Sequence, residues 1–155
     1  MIRLATIADI PVITDLGIRL VSRSDFAHTT PNRCAMTDRF LHAIRSKSEW
    51  LGVAEHDGKI VGSLLLVVVK YWWTRDEHYV LDDGLYCERP GAGAALIRAG
   101  LRWASRLNVK EVLLAVNSGF DIDRTARVMN RCGLQNRGIT VSMRVDGVEA
   151  RRWAA

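Results

Sequence analysis

Apolar positions along the chain switch between helical and strand-like spacing. Ile2 to Ala5 alternates briefly, as in a short strand. Thr6, Asp9 and Pro11 then form a helix-start signal, and Ile10, Ile13, Leu16 and Leu20 follow at helical spacing. Gly17 weakens this predicted helix from within. The polar stretch Ser22 to Asn32, with Pro31, reads as a loop. A second helix is expected over Met36 to Ser46, burying Phe40, Leu41 and Ile44. Trp50 to Glu55 and Lys59 to Lys70 read as strands joined at His56-Asp57-Gly58, because Asp-Gly is a strong hairpin signal. The second, IVGSLLLVVVK, is long and β-branched, as a central strand covered on both faces should be.

Tyr71 to His78 reads as the next turn. Its adjacent Trp72 and Trp73 cannot both enter the core of a strand, so one is left to be exposed or to line a pocket. A strand over Tyr79 to Cys87 leads into a turn with Pro90, Gly91 and Gly93. A strongly periodic helix follows to about Leu107, presenting Ala94, Leu96, Ile97, Leu101, Trp103 and Ala104. Lys110 to Asn117 has the pattern of a buried strand. Asp121 to Cys132 reads as a helix capped by Asp121 or Asp123, with Ala126, Val128 and Met129 apolar and Gly133 as its stop. A last strand is expected over Gly138 to Val145, then a tail with Trp153 as a candidate anchor. The order β-α-α-β-β-β-α-β-α-β predicts an α/β (α+β) fold with a mixed sheet. Antiparallel strands come first, and a βαβ-like crossover over residues 79–117 sets two parallel strands side by side beneath a helix.

Composition narrows the class. The 155 residues, 48% hydrophobic and 25% charged, suit one globular domain over 1–155 with a sizeable core. No signal-peptide pattern is seen, and the apolar stretch Ile60 to Val69 is too short to cross a bilayer, so a cytoplasmic protein without a membrane partner is expected. Cys34, Cys87 and Cys132 include no CxxC, and His28, His42, His56 and His78 show no ligand spacing, so no metal is implied. The net charge of +5 favours anionic ligands. Arg98, Arg102 and Arg106 recur on one helix face, and Arg124, Arg127 and Arg131 on the next. They read as solvated faces or as an electropositive rim. No aromatic stacking pattern interleaves them, so support for nucleic acid as a partner is weak.

The stretch YVLDDGLYCERPGAGAALIRAGLRWASRL, residues 79–107, carries the chemistry. A small-residue turn opening a helix aims unpaired N–H groups along the positive end of the helix dipole and lets a phosphate approach the backbone. It also lies at the carboxyl end of a strand, where open α/β sheets bind ligands. A nucleotide-like or pyrophosphate-bearing ligand is therefore expected.

The order of elements and Glu88-Arg89-Pro90-Gly91-Ala92-Gly93 followed by AALIRAGLRWA resemble the GNAT (Gcn-related N-acetyltransferase) superfamily. Its acetyl-CoA motif runs Gln/Arg-x-x-Gly-x-Gly/Ala into a helix. RLATIADIPVITDL, NVKEVLLAVN and the Ala126 to Leu134 passage resemble other elements of that family, so the likeness spans almost the whole chain. Two positions depart from the pattern. Glu88 replaces the motif's Gln or Arg, with Arg89 adjacent, and Met129 stands where many members place a tyrosine as general acid.

The resemblance implies a direct transfer of an acetyl group from acetyl-CoA, as co-substrate, to a primary amine of a small molecule or protein. It implies that the N–H groups of Gly91, Ala92, Gly93 and Ala94 hold the pyrophosphate. The backbone near Leu85, Tyr86 and Cys87 would pair with the pantetheine arm like an added strand. Asp82 and Asp83 are the candidate bases. Alternation lets only one face the cleft, and it favours Asp83, which shares a face with Leu85 and Cys87. Glu77 and His78 are second-line candidates. Asn117 and Ser118 would orient the acceptor or CoA amides, or else form an ordinary turn. Cys87 lacks a histidine partner and is not expected to be a nucleophile. Tyr86 could replace the missing tyrosine, although its parity points it away from Cys87. The Ser22–Cys34 loop and the Trp72–Arg75 turn would border the acceptor site. A catalytically weak CoA-binding or interaction module, and a nucleic-acid-modifying acyltransferase, stand as alternatives. A homodimer is left open.

Overall fold

The computed structural model describes residues 1–119, 121–138 and 141. The elements are β1 (Ile2–Leu4), α1 (Ile10–Arg23), α2 (Arg33–Arg45), β2 (Glu49–His56), β3 (Lys59–Lys70), β4 (His78–Cys87), α3 (Ala92–Ala104), β5 (Val112–Leu113) and α4 (Ile122–Arg131). The strands form one sheet in sequence order, antiparallel from β1 to β4, with β4 and β5 parallel. The expected crossover is thus present. The strand predicted from Gly138 falls mostly outside the described residues, as does Trp153.

Both faces of the sheet are covered. Leu51 and Val53 on β2 and Leu65 on β3 pack with Ile13 of α1 and Ala43 of α2. Trp50 and Ala54, with Leu64 and Leu66, point the other way and meet Leu96, Ile97 and Ala104 of α3. This two-sided burial is why β3 reads as a continuous apolar run. Gly100 allows the close approach of α3, since a Cβ there would lie 2.5 Å from Leu66 Cδ1. On α2, Ala43 is buried, whereas the predicted Phe40, Leu41 and Ile44 are all only half-buried, Phe40 and Ile44 packing against the same cluster as Ala43. The helix also starts earlier than expected, because the Asn32 side chain caps it by accepting from Ala35 N–H at 3.0 Å.

The start signal near Thr6 works through charge as well as capping. Asp9 accepts from the Thr6 N–H at 2.7 Å and from its hydroxyl at 2.9 Å. Arg3 donates to both Asp9 oxygens, at 2.7 and 3.0 Å, and to Glu55 on β2 at 2.9 Å. The Arg3 guanidinium holds the Asp9 carboxyl well below the usual carboxylate range.

Both Trp72 and Trp73 are exposed, at 89% and 64%. They form an aromatic cluster with Tyr71 and Tyr79 at the far end of the β3–β4 hairpin. Among the described residues no helix is long and apolar enough to cross a membrane, and no group of His, Cys, Asp or Glu side chains is suited to a metal.

Candidate functional site

Pairing between β4 and β5 is confined to Val80–Val112 and Leu81–Leu113, so the buried strand expected over Lys110 to Asn117 is much shorter. Two local features part the strands. Leu66 pairs with Asp82 and Leu65 with Gly84, which leaves Asp83 as an extra, bulged residue on β4. Beyond Leu113, the Ala115 N–H donates to Asp82 Oδ1 at 2.7 Å. A side chain thus takes the place of a ladder partner. A cleft of about 900 Å³ passes through the gap, from Leu20, Met36 and Phe40 on one face to Thr125 and Met129 on the other.

The bulge overturns the assignment made by simple alternation. The inserted Asp83 resets the parity, so Asp82 shares the α3 side with Leu85 and Cys87, opposite Leu66, Leu64 and Gly62. Asp83 instead accepts from Arg39 of α2 at 2.9 Å and is 49% exposed. Arg39 also holds Glu49 at 2.6 Å, whose side chain is 7% exposed. Burial pushes the Asp82 carboxyl up to about 6, against the lowering effect of the Ala115 N–H bond, and neighbouring Asp83 raises it further. Asp82 thus sits in the gap with a pKa near neutrality, while Asp83 is an ion-pair partner.

The glycine turn lies at the carboxyl end of β4, as expected. Gly91 caps α3 in the left-handed region, at φ 84°, and a Cβ there would meet no atom within 4 Å, so the space before it is open. Ala92 N–H donates back to Arg89 O at 3.3 Å, and Ala95 N–H donates to Gly91 O at 3.1 Å. Gly93 and Ala94 remain as first-turn donors with no helical carbonyl to take them. Both line the cleft, as do Leu85, Tyr86, Cys87, Arg89, Gly91 and Asn117, whereas Ala92 faces a shallower depression beside Ile2 and His56. This backbone cradle, with Arg89 beside it, fits a pyrophosphate. The unpaired β4 edge fits an extended amide-bearing arm.

Glu88 has a structural partner, for Arg19 of α1 donates to it at 2.7 Å. Tyr86 packs toward α1, where its hydroxyl accepts from Arg23 at 3.1 Å and donates to Glu88 at 3.5 Å. Met129 is buried and lines the cleft, so no hydroxyl is presented there. Burial pushes the Cys87 thiol up to about 12, which keeps it protonated and unsuited to nucleophilic attack. Ser118 also lines the cleft, and its carbonyl accepts from Asp25 N–H at 2.7 Å, joining the loops after α1 and β5.

Of the two loops expected to border the acceptor side, only the first lines the cleft, through Arg23 at the end of α1 and Phe26 in the 3-10 turn Asp25–His28. Trp72–Arg75 do not line the cleft, because they sit at the paired end of β4. Glu77 and His78 lie at that end too, with Glu77 paired to Lys110 at 3.0 Å. Sequence reasoning missed Arg19, Arg23 and Arg39. Their spacing on amphipathic helices looks like any solvated arginine, and only packing against β4 distinguishes them. Arg98, Arg102 and Arg106 are exposed, and Arg124 pairs with Asp121 at 3.5 Å.

Solved structures with the same architecture include an aminoglycoside 6'-N-acetyltransferase from Acinetobacter haemolyticus, at 16% identity and TM-score 0.67 over 94% of this chain and 99% of that one. An aminoglycoside acetyltransferase from an uncultured soil metagenomic sample, in complex with sisomicin, matches at 16% identity and TM-score 0.65, over 93% and 95%. The fold is GNAT-like. A transcriptional regulator from Bacillus halodurans superposes on this GNAT-like frame at TM-score 0.74 and 16% identity, over 93% and 98%. No family model matches the chain, and no curated protein does.

Proposed function

We propose that residues 1–155 form a single acyltransferase domain that moves an acetyl group from acetyl-CoA to a primary amine by direct transfer. The observation that carries this reading is the parting of β4 from β5 at Asp82, with the positive-φ turn of Gly91 at the end of the opened strand. Arg89 and the N–H groups of Gly91, Gly93 and Ala94 would bind the pyrophosphate. The β4 edge at Leu85 to Cys87 would accept the pantetheine arm, with Asn117 on the opposite wall. The acetyltransferase named for its aminoglycoside substrates and the one bound to sisomicin support a small-molecule amine.

The acceptor arrives as an ammonium ion, and Asp82, with its pKa near 6, takes a proton from it directly or through water. The freed nitrogen lone pair forms a C–N bond to the thioester carbonyl carbon, and the C–S bond breaks. The nitrogen sheds its second proton to water as the amide forms. With Met129 in place of a donor, the thiolate leaves without protein help, since a thiol ionises not far above neutrality. A second reading, a CoA-binding module without turnover, draws on that same methionine.

Calorimetric titration with acetyl-CoA, followed by thiol release across an amine panel, tests the proposal. Binding with release supports it, binding without release favours the module, and no binding removes both. Asp82→Asn should abolish most of the release, and Asp83→Asn should not.

A further inference from the structure

The charges lining the cleft are largely spoken for on the α1 and α2 side. Asp83 is paired with Arg39 and Glu88 with Arg19, while across the cleft Asp121 at the start of α4 is paired with Arg124. Arg23 is different. It lines the cleft, and among the described residues its side chain donates to the Tyr86 hydroxyl at 3.1 Å. No carboxylate lies within ion-pair distance of it among the described residues. The walls beside it, from Leu20, Val21, Phe26, Met36 and Phe40, are apolar, and Phe26 is 41% exposed. A polycation would meet an uncompensated guanidinium here and find its carboxylates already engaged.

We infer that the acceptor is a primary amine with an apolar or aromatic body and a carboxylate that Arg23 receives. This deepens the acyltransferase reading and rests on it. Arginine offers paired donors to a planar carboxylate, and the Tyr86 hydroxyl, which accepts from Arg23 at 3.1 Å, orients the guanidinium. Glu88 lies 3.5 Å from that same hydroxyl, which disfavours a dianionic phosphate and leaves a singly charged group as the better fit. The apolar wall holds the body of the acceptor while its amine faces Asp82 in the gap.

The test compares 6-aminohexanoate, 8-aminooctanoate and 4-(aminomethyl)benzoate with their amides and with sisomicin, as acceptors for protein first shown by calorimetry to bind acetyl-CoA. The apolar bodies of these acids separate amine from carboxylate as Asp82 and Arg23 are separated along β4. The free acids should be acetylated with kcat/KM about ten-fold or more above the amides, as loss of one charge-assisted contact predicts. Sisomicin should be the poorest acceptor. Arg23→Gln should bring the acid-to-amide ratio near one, mainly through the KM of the acids, and Arg23→Lys should keep part of the preference. Amides or sisomicin used as well as the acids would overturn the inference. So would an unchanged ratio in Arg23→Gln, or transfer to none of these amines by protein that binds acetyl-CoA. Failure to bind acetyl-CoA at all is a separate result, which removes the acyltransferase reading and this inference with it.

Discussion

Replacing Asp82 with Asn removes a carboxylate whose pKa burial raises from 3.8 to about 6, yet leaves an oxygen to accept the Ala115 N–H. Between about pH 4 and about pH 6 the folded protein keeps a proton that the unfolded chain has released. The wild type therefore loses stability as pH rises through that window. At about 1.4 kcal/mol per pKa unit, the loss approaches about 3 kcal/mol above the folded pKa. Asn does not titrate, so the stability of Asp82→Asn relative to wild type should grow by about 2–3 kcal/mol between pH 4 and pH 8. Titratable groups elsewhere contribute equally to both proteins and cancel in the difference. Urea unfolding followed by tryptophan fluorescence, repeated at intervals across that range, measures it directly. A difference that stays flat with pH would show that Asp82 is not a buried, proton-binding carboxyl. Rates measured on the same variant separate two roles. A stabilised protein with turnover reduced about a hundred-fold has lost its base, and a stabilised protein with full turnover has lost only a wedge between two strands.

Other perturbations probe the surroundings of the site. Arg39→Met leaves the buried Glu49 carboxylate with His42 alone, at 3.2 Å, and should lower stability by about 1–3 kcal/mol by denaturant titration. Asp83→Asn, at an exposed pair, should cost about 1 kcal/mol or less in the same assay and move the pH profile of turnover slightly toward lower pH, because the Asp83 charge helps raise the Asp82 pKa. Gly91→Val forces a β-branched side chain into the left-handed region and should cost about 1–2 kcal/mol; calorimetry should also show weakened acetyl-CoA binding. Asp9→Ala should destabilise by about 1–3 kcal/mol at neutral pH. That deficit should shrink as pH falls below about 4, because the Arg3-bound carboxylate contributes stability only while the unfolded chain would also be ionised.

Most elements were legible because periodicity reports burial. The run Lys59–Lys70 reads as a doubly covered strand and is one, and Asp57-Gly58 forms the hairpin turn with both residues at positive φ, 49° and 71°. The glycine turn was legible for the same kind of reason, since only a left-handed residue and a side-chain-free approach suit that corner. The choice between Asp82 and Asp83 was not. It depends on one inserted residue, and a bulge leaves no mark on composition while reversing every later assignment of face. The shortness of β5 was hidden as well, because NVKEVLLAVN has a strand's pattern throughout and the Asp82 side chain interrupts the ladder from a distant part of the chain. Arg19, Arg23 and Arg39 acquire meaning only once α1 and α2 are seen to pack beside β4.

The central claim is that the gap opened at Asp82 holds acetyl-CoA with its pyrophosphate on the Gly91 turn. A crystal structure grown with CoA tests this most directly. The account predicts the pyrophosphate on the N–H groups of Gly93 and Ala94 with Arg89 beside it, and the pantetheine amides paired with the β4 edge from Leu85 to Cys87. The thiol should end near Asp82. CoA seated elsewhere on the molecule, or a β4 edge left unpaired with the cofactor bound, would contradict it.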